Sequence, residues 1–252
     1  MPSLFVVCVV AVVAGALLQW QRKAAAISPR VLGDVLLVFA HPDDEAMFFS
    51  PLLEYLRQHD LKVHFLCLSN GNYAGLGAAR EKELYRSGQY FGVHKNNVKV
   101  VNHPSLQDGL NRSWDSDLIR QEVFSYLKKA KSVRTVVTFD RWGVSYHPNH
   151  IAVHSGVRSA KENMPPGIVF LNLRTRGLLR KYSGVLSVVS YIFRGCLQED
   201  HHRFVILMPP ISILTSFFAM RMHKTQLVWF RYLFVLFSSY TYINEMEELK
   251  TV

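Results

Sequence analysis

Residues 34–40 read DVLLVFA, an apolar, β-branched run that stops at His41-Pro42, and runs of this kind recur along the chain with helix-spaced segments between them. Residues 62–69 (KVHFLCLS) end at Asn70-Gly71-Asn72, residues 98–102 form a shorter run, and residues 134–139 (RTVVTF) end at Asp140. Residues 168–173 and 204–208 complete the series, and Pro209-Pro210 must close the last of them, since proline donates nothing to a ladder. The stretches 46–58, 78–91, 115–131 and 150–159 carry apolar residues at helical spacing. Strands that are apolar throughout need cover on both faces, and strand, helix, strand in succession supplies it. The chain is therefore expected to be α/β, a Rossmann-like, mostly parallel sheet with helices on both faces. Such sheets bind ligands beyond the carboxyl ends of their strands, so the chemistry is expected just after these runs.

Directly after the first run stands His41-Pro42-Asp43-Asp44-Glu45. Three adjacent carboxylates repel one another, and a cation is the natural remedy. His41 and Asp44, three apart across a strand-to-helix turn, can point at one ion with Asp43 beside it, and a helix opening at Pro42 turns free N–H groups toward the carboxylates. The bland alternative makes Asp43 or Asp44 a helix cap and His41 a solvated loop residue. A second cluster, Tyr146-His147-Pro148-Asn149-His150, follows the run RTVVTF after a short loop. Together the clusters offer two histidines, one aspartate and an open position for water, the ligand count of a catalytic zinc site. HExxH is absent, which excludes that type of metalloprotease. A metal lowers the pKa of bound water toward about 7, and Asp43, adjacent to a ligand, can take the proton as general base. His147, left over once His150 binds metal, is free to stabilise an oxyanion or protonate a departing amine, and Asp140 is expected to orient one of these histidines. His64, His94, His103, His154 and the pair His201-His202 are read as structural or solvated.

The chain carries 29 Lys and Arg against 19 Asp and Glu, a formal charge of +10, and 49% of its 252 residues are hydrophobic. That composition excludes disorder as the main state and asks for an anionic partner, nucleic acid or a membrane surface. Residues 171–231 hold nine basic residues against Glu199 and Asp200, set among apolar stretches such as LVWFRYLFVLF, a pairing that favours membrane over nucleic acid. Residues 2–21 carry no charge, and twenty helical residues span about 30 Å, one hydrocarbon thickness. One N-terminal transmembrane helix is expected. The competing reading is a cleaved signal peptide, for which Ala24, Ala25 and Ala26 supply small residues. No basic residue precedes the apolar run whereas Arg22, Lys23 and Arg30 follow it, so the remainder is expected to face the cytosol. A glycan on the sequon at Asn111 would contradict that topology. Cys8, Cys67 and Cys196 are too scattered for a disulfide framework or a thiolate zinc site. The organisation expected is an anchor and basic linker over residues 1–30, then a catalytic domain over 31–252 whose part from about 171 to 240 is membrane-proximal.

The segments AHPDDEAMFFSP, LSNGNYAGLGAAREKEL, LQDG and TFDRWGVSYHPNHIA, with HKTQLVWFRYLF near the C-terminus, resemble the LmbE-like zinc de-N-acetylases over roughly residues 35–246. Within that family the resemblance is strongest to the branch that acts on precursors of the glycosylphosphatidylinositol anchor. It implies removal of acetate from the glucosamine of a phosphatidylinositol glycolipid, the second step of anchor synthesis, on the cytosolic face of the endoplasmic reticulum. It implies zinc held by His41, Asp44 and His150, with Asp43 as base and His147 in the oxyanion or acid role. Substrate contact is implied for Arg80 in AAREKEL and Asp108 in LQDG, and an arginine fork suits an anionic phosphoinositide. Tyr146 departs from the pattern, which has glycine there. Two other functions compete: a relative that deacetylates a soluble N-acetyl sugar or another amide, and a membrane scaffold with a degenerate metal site. The N-terminal apolar segment and the basic, apolar last third speak for the lipid, and the intact His41, Asp43, Asp44 and His150 set speaks for an enzyme.

Overall fold

The apolar runs form one seven-stranded sheet: β1 (Asp34–Phe39), β2 (Val63–Cys67), β3 (Val98–Val100), β4 (Val133–Phe139), β5 (Val169–Leu173), β6 (Arg203–Leu207) and β7 (Ile243–Glu248). The computed structural model describes residues 4–24, 31–111, 113–164, 166–194 and 203–250, so Cys196, His201-His202 and most of the linker after the N-terminal helix lie outside the described residues. Strand order is β3-β2-β1-β4-β5-β7-β6. The first five of these pair in parallel, and β7 runs antiparallel between β5 and β6. The sheet is thus mostly parallel, as the runs require. The strand at 203–207 is not the last, however: INEMEE forms β7 despite its three glutamates. Glu245 and Glu247 are held by Arg174 and Arg176 from the segment that follows β5.

The helices are α1 (Leu4–Ala24), α2 (Asp44–Phe48), α3 (Ser50–Gln58), α4 (Gly77–Tyr90), α5 (Ser116–Lys129), α6 (Gly143–Tyr146), α7 (Pro148–Glu162), α8 (Leu178–Lys181), α9 (Leu186–Arg194), α10 (Thr215–Met220) and α11 (Trp229–Phe237). The single helix expected over 46–58 is two, because Phe49 leaves helical geometry (φ −113°, ψ 8°) and Pro51 has no N–H for the next turn. Val35 to Phe39 on β1 are fully buried, between β2 and β4 at the centre of the sheet. α5 and α7 pack on each other and α7 on β4 and β1, while α3 lies against β6 and β7.

Trp20, near the end of α1, is buried against Val188, Ile192, Leu207 and Ile243, and its Nε1 donates to the Met208 carbonyl at 2.7 Å. Val10, Val12, Val13, Leu17 and Leu18 of the same helix are exposed. Among the described residues, which leave out the side chains of Leu4, Phe5, Val9, Lys23 and Ala24 in α1, no helix is long and apolar enough to cross a membrane.

Candidate active site

β1 and β4 are neighbours, so the segments leaving their carboxyl ends converge, and these carry the two motifs. Asp44 opens α2, and its Oδ2 accepts from the backbone N–H of Ala40 (3.1 Å) and His41 (2.8 Å), which fixes the carboxylate. Its Oδ1 lies 3.2 Å from His150 Nε2. His150, in the first turn of α7, places Nδ1 3.0 Å from the Gly143 carbonyl and stacks on Phe139 with ring centroids 4.3 Å apart. The carbonyl fixes a proton on Nδ1, so Nε2, which faces Asp44, is the atom that can ligate. His41 Nδ1 is 3.8 Å from Asp44 Oδ2, and its Nε2 is 3.2 Å from Asp108 Oδ1. One ligand atom from each of His41, Asp44 and His150 lies within 4.8 Å of the others, and all three side chains are buried.

The electrostatics suit a cation. Burial drives the His41 pKa down to about 4, so its ring is neutral near pH 7 with a lone pair to give. Burial would raise Asp44, but the His150 charge and hydrogen bond, with His41 behind them, hold its carboxyl well below the usual range. Burial likewise disfavours charged His150, and Asp44 outweighs it and raises that ring. Two imidazoles and one carboxylate, buried and mutually in reach, fit a divalent ion that accepts mixed nitrogen and oxygen ligands.

Asp43 stands beside this cluster with φ 129°, a backbone conformation few residues other than glycine adopt. Its carboxylate is gripped by Arg80 Nη2 at 3.3 Å and Arg231 Nη2 at 3.1 Å. Burial pushes its pKa up more than the two arginines pull it down, and the net position is above that of an ordinary aspartate. Arg80 also donates to the carbonyls of Gly71 and Pro42, each at 2.9 Å, and to Asp108 Oδ2 at 3.1 Å. Its fork thus aligns Asp43 and Asp108 while lining the cavity. His147 is half-buried, and burial with the neighbouring His150 lowers its pKa. Its Nδ1 accepts from the Asn149 N–H at 3.3 Å, so in the neutral ring the proton sits on Nε2.

Asp140 does not take the place expected of it. Its carboxylate accepts from Trp142 N (3.0 Å), Thr175 N (2.7 Å) and Thr175 Oγ1 (2.6 Å) and bonds to no histidine among the described residues. It anchors the start of the segment 142–147, and the Gly143 carbonyl in that segment orients His150. Gly143 needs its lack of a side chain: it has φ +59°, and a Cβ there would come within 2.6 Å of His150 Cβ. Val144 (φ 52°) and Tyr146 (φ 59°) share the left-handed region, which for a β-branched residue is strained.

Tyr146 therefore occupies a glycine conformation, while its ring is 63% exposed and packs on Trp142. The left-handed region costs an L-residue about 1–2 kcal/mol, against roughly 0.5–1 kcal/mol of extra chain entropy lost on ordering a glycine. Tyr146→Gly is expected to melt at or slightly above the wild-type temperature in a thermal scan. A clear drop would show that the Trp142 contact outweighs the backbone.

His41, Asp43, Asp44, Arg80, Asp108, His147 and His150 line one side of a cavity of about 520 Å³. Its other side is built from Lys181 and Tyr182 at the end of α8 and from Phe230, Arg231, Leu233, Phe234 and Phe237 of α11. α11 also turns apolar groups outward, with Trp229 73% and Leu236 57% exposed. Arg231, expected in a basic surface, points inward onto Asp43, and its being a lone charge in LVWFRYLFVLF is the sequence signal for that. His223, which no catalytic motif of the sequence marks, is fully buried against Glu45 of the first motif.

The family model described as GlcNAc-PI de-N-acetylase matches residues 36–161. The probable N-acetylglucosaminyl-phosphatidylinositol de-N-acetylase of Schizosaccharomyces pombe is 38% identical over 216 residues, covering 84% of this chain and 86% of that one. The N-acetylglucosaminyl-phosphatidylinositol de-N-acetylase of Bos taurus is 36% identical over 216 residues, covering 85% and 83%. Among solved structures, N,N'-diacetylchitobiose deacetylase from Pyrococcus horikoshii superimposes with a TM-score of 0.58 over 87% of this chain and 84% of its own, at 16% identity. At that identity it speaks to the fold alone.

Proposed function

The chain belongs to the GlcNAc-PI de-N-acetylase family, and from that premise we propose that it hydrolyses the N-acetyl group of N-acetylglucosaminyl-phosphatidylinositol, giving glucosaminyl-phosphatidylinositol and acetate, the second step of glycosylphosphatidylinositol-anchor synthesis. The observation that carries the reading is the clustering of His41, Asp44 and His150 with Asp43 at their side, in a cavity that these polar groups share with apolar residues of α11.

His41, Asp44 and His150 would hold the divalent metal, zinc by the chemistry of the donor set. When bound, that ion supplies Lewis acidity for the acetamide carbonyl and makes water a better nucleophile. Asp43 accepts a proton from the attacking water: burial raises its pKa above that of an ordinary aspartate, which makes its carboxylate a stronger base. The water oxygen bonds to the acetyl carbon, the C–N bond breaks, and the proton on Asp43 passes to the amine. His147, neutral and protonated on Nε2, has a donor to offer the growing charge on the carbonyl oxygen. Arg80 and Asp108 set the positions of Asp43 and His41 and border the space for substrate.

The substrate is a lipid, and the protein is proposed to work at the cytosolic surface of the endoplasmic reticulum, with α1 as a single-pass anchor. Support comes from the exposed valines and leucines of α1 and from Arg22 and Lys23 at its C-terminal end. Leu178, Leu179, Ile211, Trp229 and Leu236 add exposed apolar groups beyond the cavity. The test incubates the detergent-solubilised full chain with acetyl-labelled N-acetylglucosaminyl-phosphatidylinositol, with and without chelator. Labelled acetate is expected and is expected to stop on chelation. No release from a metal-loaded preparation would overturn the substrate, and release indifferent to stringent chelation would overturn the mechanism.

A further inference from the structure

Among the described residues three Lys or Arg cations line the cavity, Arg80, Lys181 and Arg231. Two of them are committed: Arg80 to Asp43 and Asp108, and Arg231 to Asp43. Lys181 is paired with no carboxylate among the described residues. Its Nζ donates to the Val144 carbonyl at 3.2 Å and stands over the rings of Tyr182 (5.7 Å to the centroid) and Phe234 (6.0 Å). An ammonium has three protons to donate, so the carbonyl leaves donor capacity unused. Partial burial without a counter-ion disfavours the charge and lowers the pKa of the group, the setting in which an arriving anion gains most.

The position of this lysine selects the anion. Lys181 ends α8, whose Leu178 and Leu179 are 72% and 89% exposed, and across the cavity Phe230 and Phe237 of α11 are each 50% exposed. The cation therefore stands at the seam where the polar cavity gives way to an exposed apolar surface. A glycolipid that places its acetamide among His41, Asp44 and His150 and its acyl chains outside must pass its phosphodiester through that seam. We infer that Lys181 is the phosphodiester-binding residue of the active site, holding the headgroup phosphate of the substrate while its acyl chains leave across α8 and α11. The inference rests on the glycolipid reading above and adds to it the residue that recognises the lipid end of the molecule.

The test uses two water-soluble substrates, N-acetylglucosaminyl-inositol 1-phosphate as its methyl phosphodiester and the same pseudo-disaccharide without phosphate. The full chain in detergent is assayed as wild type, Lys181→Met and Lys181→Arg. The readout is the ratio of kcat/KM for the two substrates, which cancels the fraction of correctly folded enzyme in each preparation. Wild type is expected to prefer the phosphodiester, and Lys181→Met to lower that preference by about ten-fold to a hundred-fold, the range of one charge-assisted hydrogen bond. Lys181→Arg is expected to keep most of it. A preference unchanged in Lys181→Met overturns the assignment and leaves Lys181 a tether for Val144. Loss of binding to anionic vesicles with the preference intact overturns it too, making the lysine a general membrane contact. If wild-type protein deacetylates neither compound nor the intact lipid, the glycolipid reading itself falls; activity on both soluble substrates without preference sinks only the subsite.

Discussion

Asp43→Asn is expected to lower kcat by about 10²–10⁴-fold, the usual worth of a positioned general base, while metal content stays at the wild-type level. Asparagine is the informative replacement here. It keeps the shape and an oxygen for Arg80 and Arg231, and it tolerates the φ of 129° better than alanine, so the backbone that carries Asp44 is left in place. What it cannot do is accept the proton of water. His41→Ala provides the contrast, since it deletes one of three clustered ligands and is expected to lose the metal along with the activity. Acetate release and elemental analysis of the two purified variants decide between these roles. Equal metal contents in the two, or an Asp43→Asn enzyme within ten-fold of wild type, would contradict the assignment.

The same group sets the acid side of the pH profile. Asp43 works ionised, so kcat/KM is expected to fall as pH drops through its pKa, which burial has moved upward from the ordinary value. Arg231 opposes that movement from 3.1 Å away. Arg231→Met removes a positive charge that favours the carboxylate, so the acid limb should move to higher pH, by about one unit for a charge at this distance.

The fate of Arg231 shows where the sequence stops being legible. The strands and the two motifs at their ends could be read directly, because parallel strands buried on both faces must be apolar throughout and the ligand site of such a sheet must lie beyond their carboxyl ends. β7 could not, because INEMEE carries no apolar run and is stable in the sheet through Arg174 and Arg176, some seventy positions away in the chain. Charge counting failed for a related reason. Residues 171–231 look like a uniform basic surface, yet Arg174 and Arg176 are paired with glutamates of β7, and Arg231 is turned onto Asp43. The basic count thus overstates the positive charge that is free on this part of the surface, where α8 and α11 also expose Leu178, Leu179, Trp229 and Leu236. Asp140 is an instance of correct placement with the wrong partner. It follows β4 as an acid near the histidines should, but which group it touches depends on Thr175, brought alongside by the neighbouring β5.

His223→Ala is expected to destabilise the fold by about 3–5 kcal/mol, the range for leaving one member of a buried ion pair without its partner. Neither side chain of the His223–Glu45 pair is exposed to solvent. Burial alone would keep His223 neutral, but the charge and hydrogen bond of Glu45, with Asp43 and Glu83 further off, raise its pKa. Removing the ring leaves Glu45 Oε1 with the Ser87 hydroxyl, at 2.6 Å, and among the described residues no compensating cation paired with it. Against a total stability of about 5–15 kcal/mol, typical of a domain, that is a large fraction, and urea unfolding should show it as a lower midpoint. His223→Gln retains a donor toward Glu45 and should lose less. The effect is expected to reach the chemistry, because Glu45 Oε2 accepts from the backbone N–H of Asp43 at 3.1 Å and so helps to hold the left-handed turn that presents the base. A His223→Gln protein that folds should therefore show a lower kcat with its metal retained. A destabilisation under about 1 kcal/mol in His223→Ala would mean that the pair contributes little beyond what packing alone supplies.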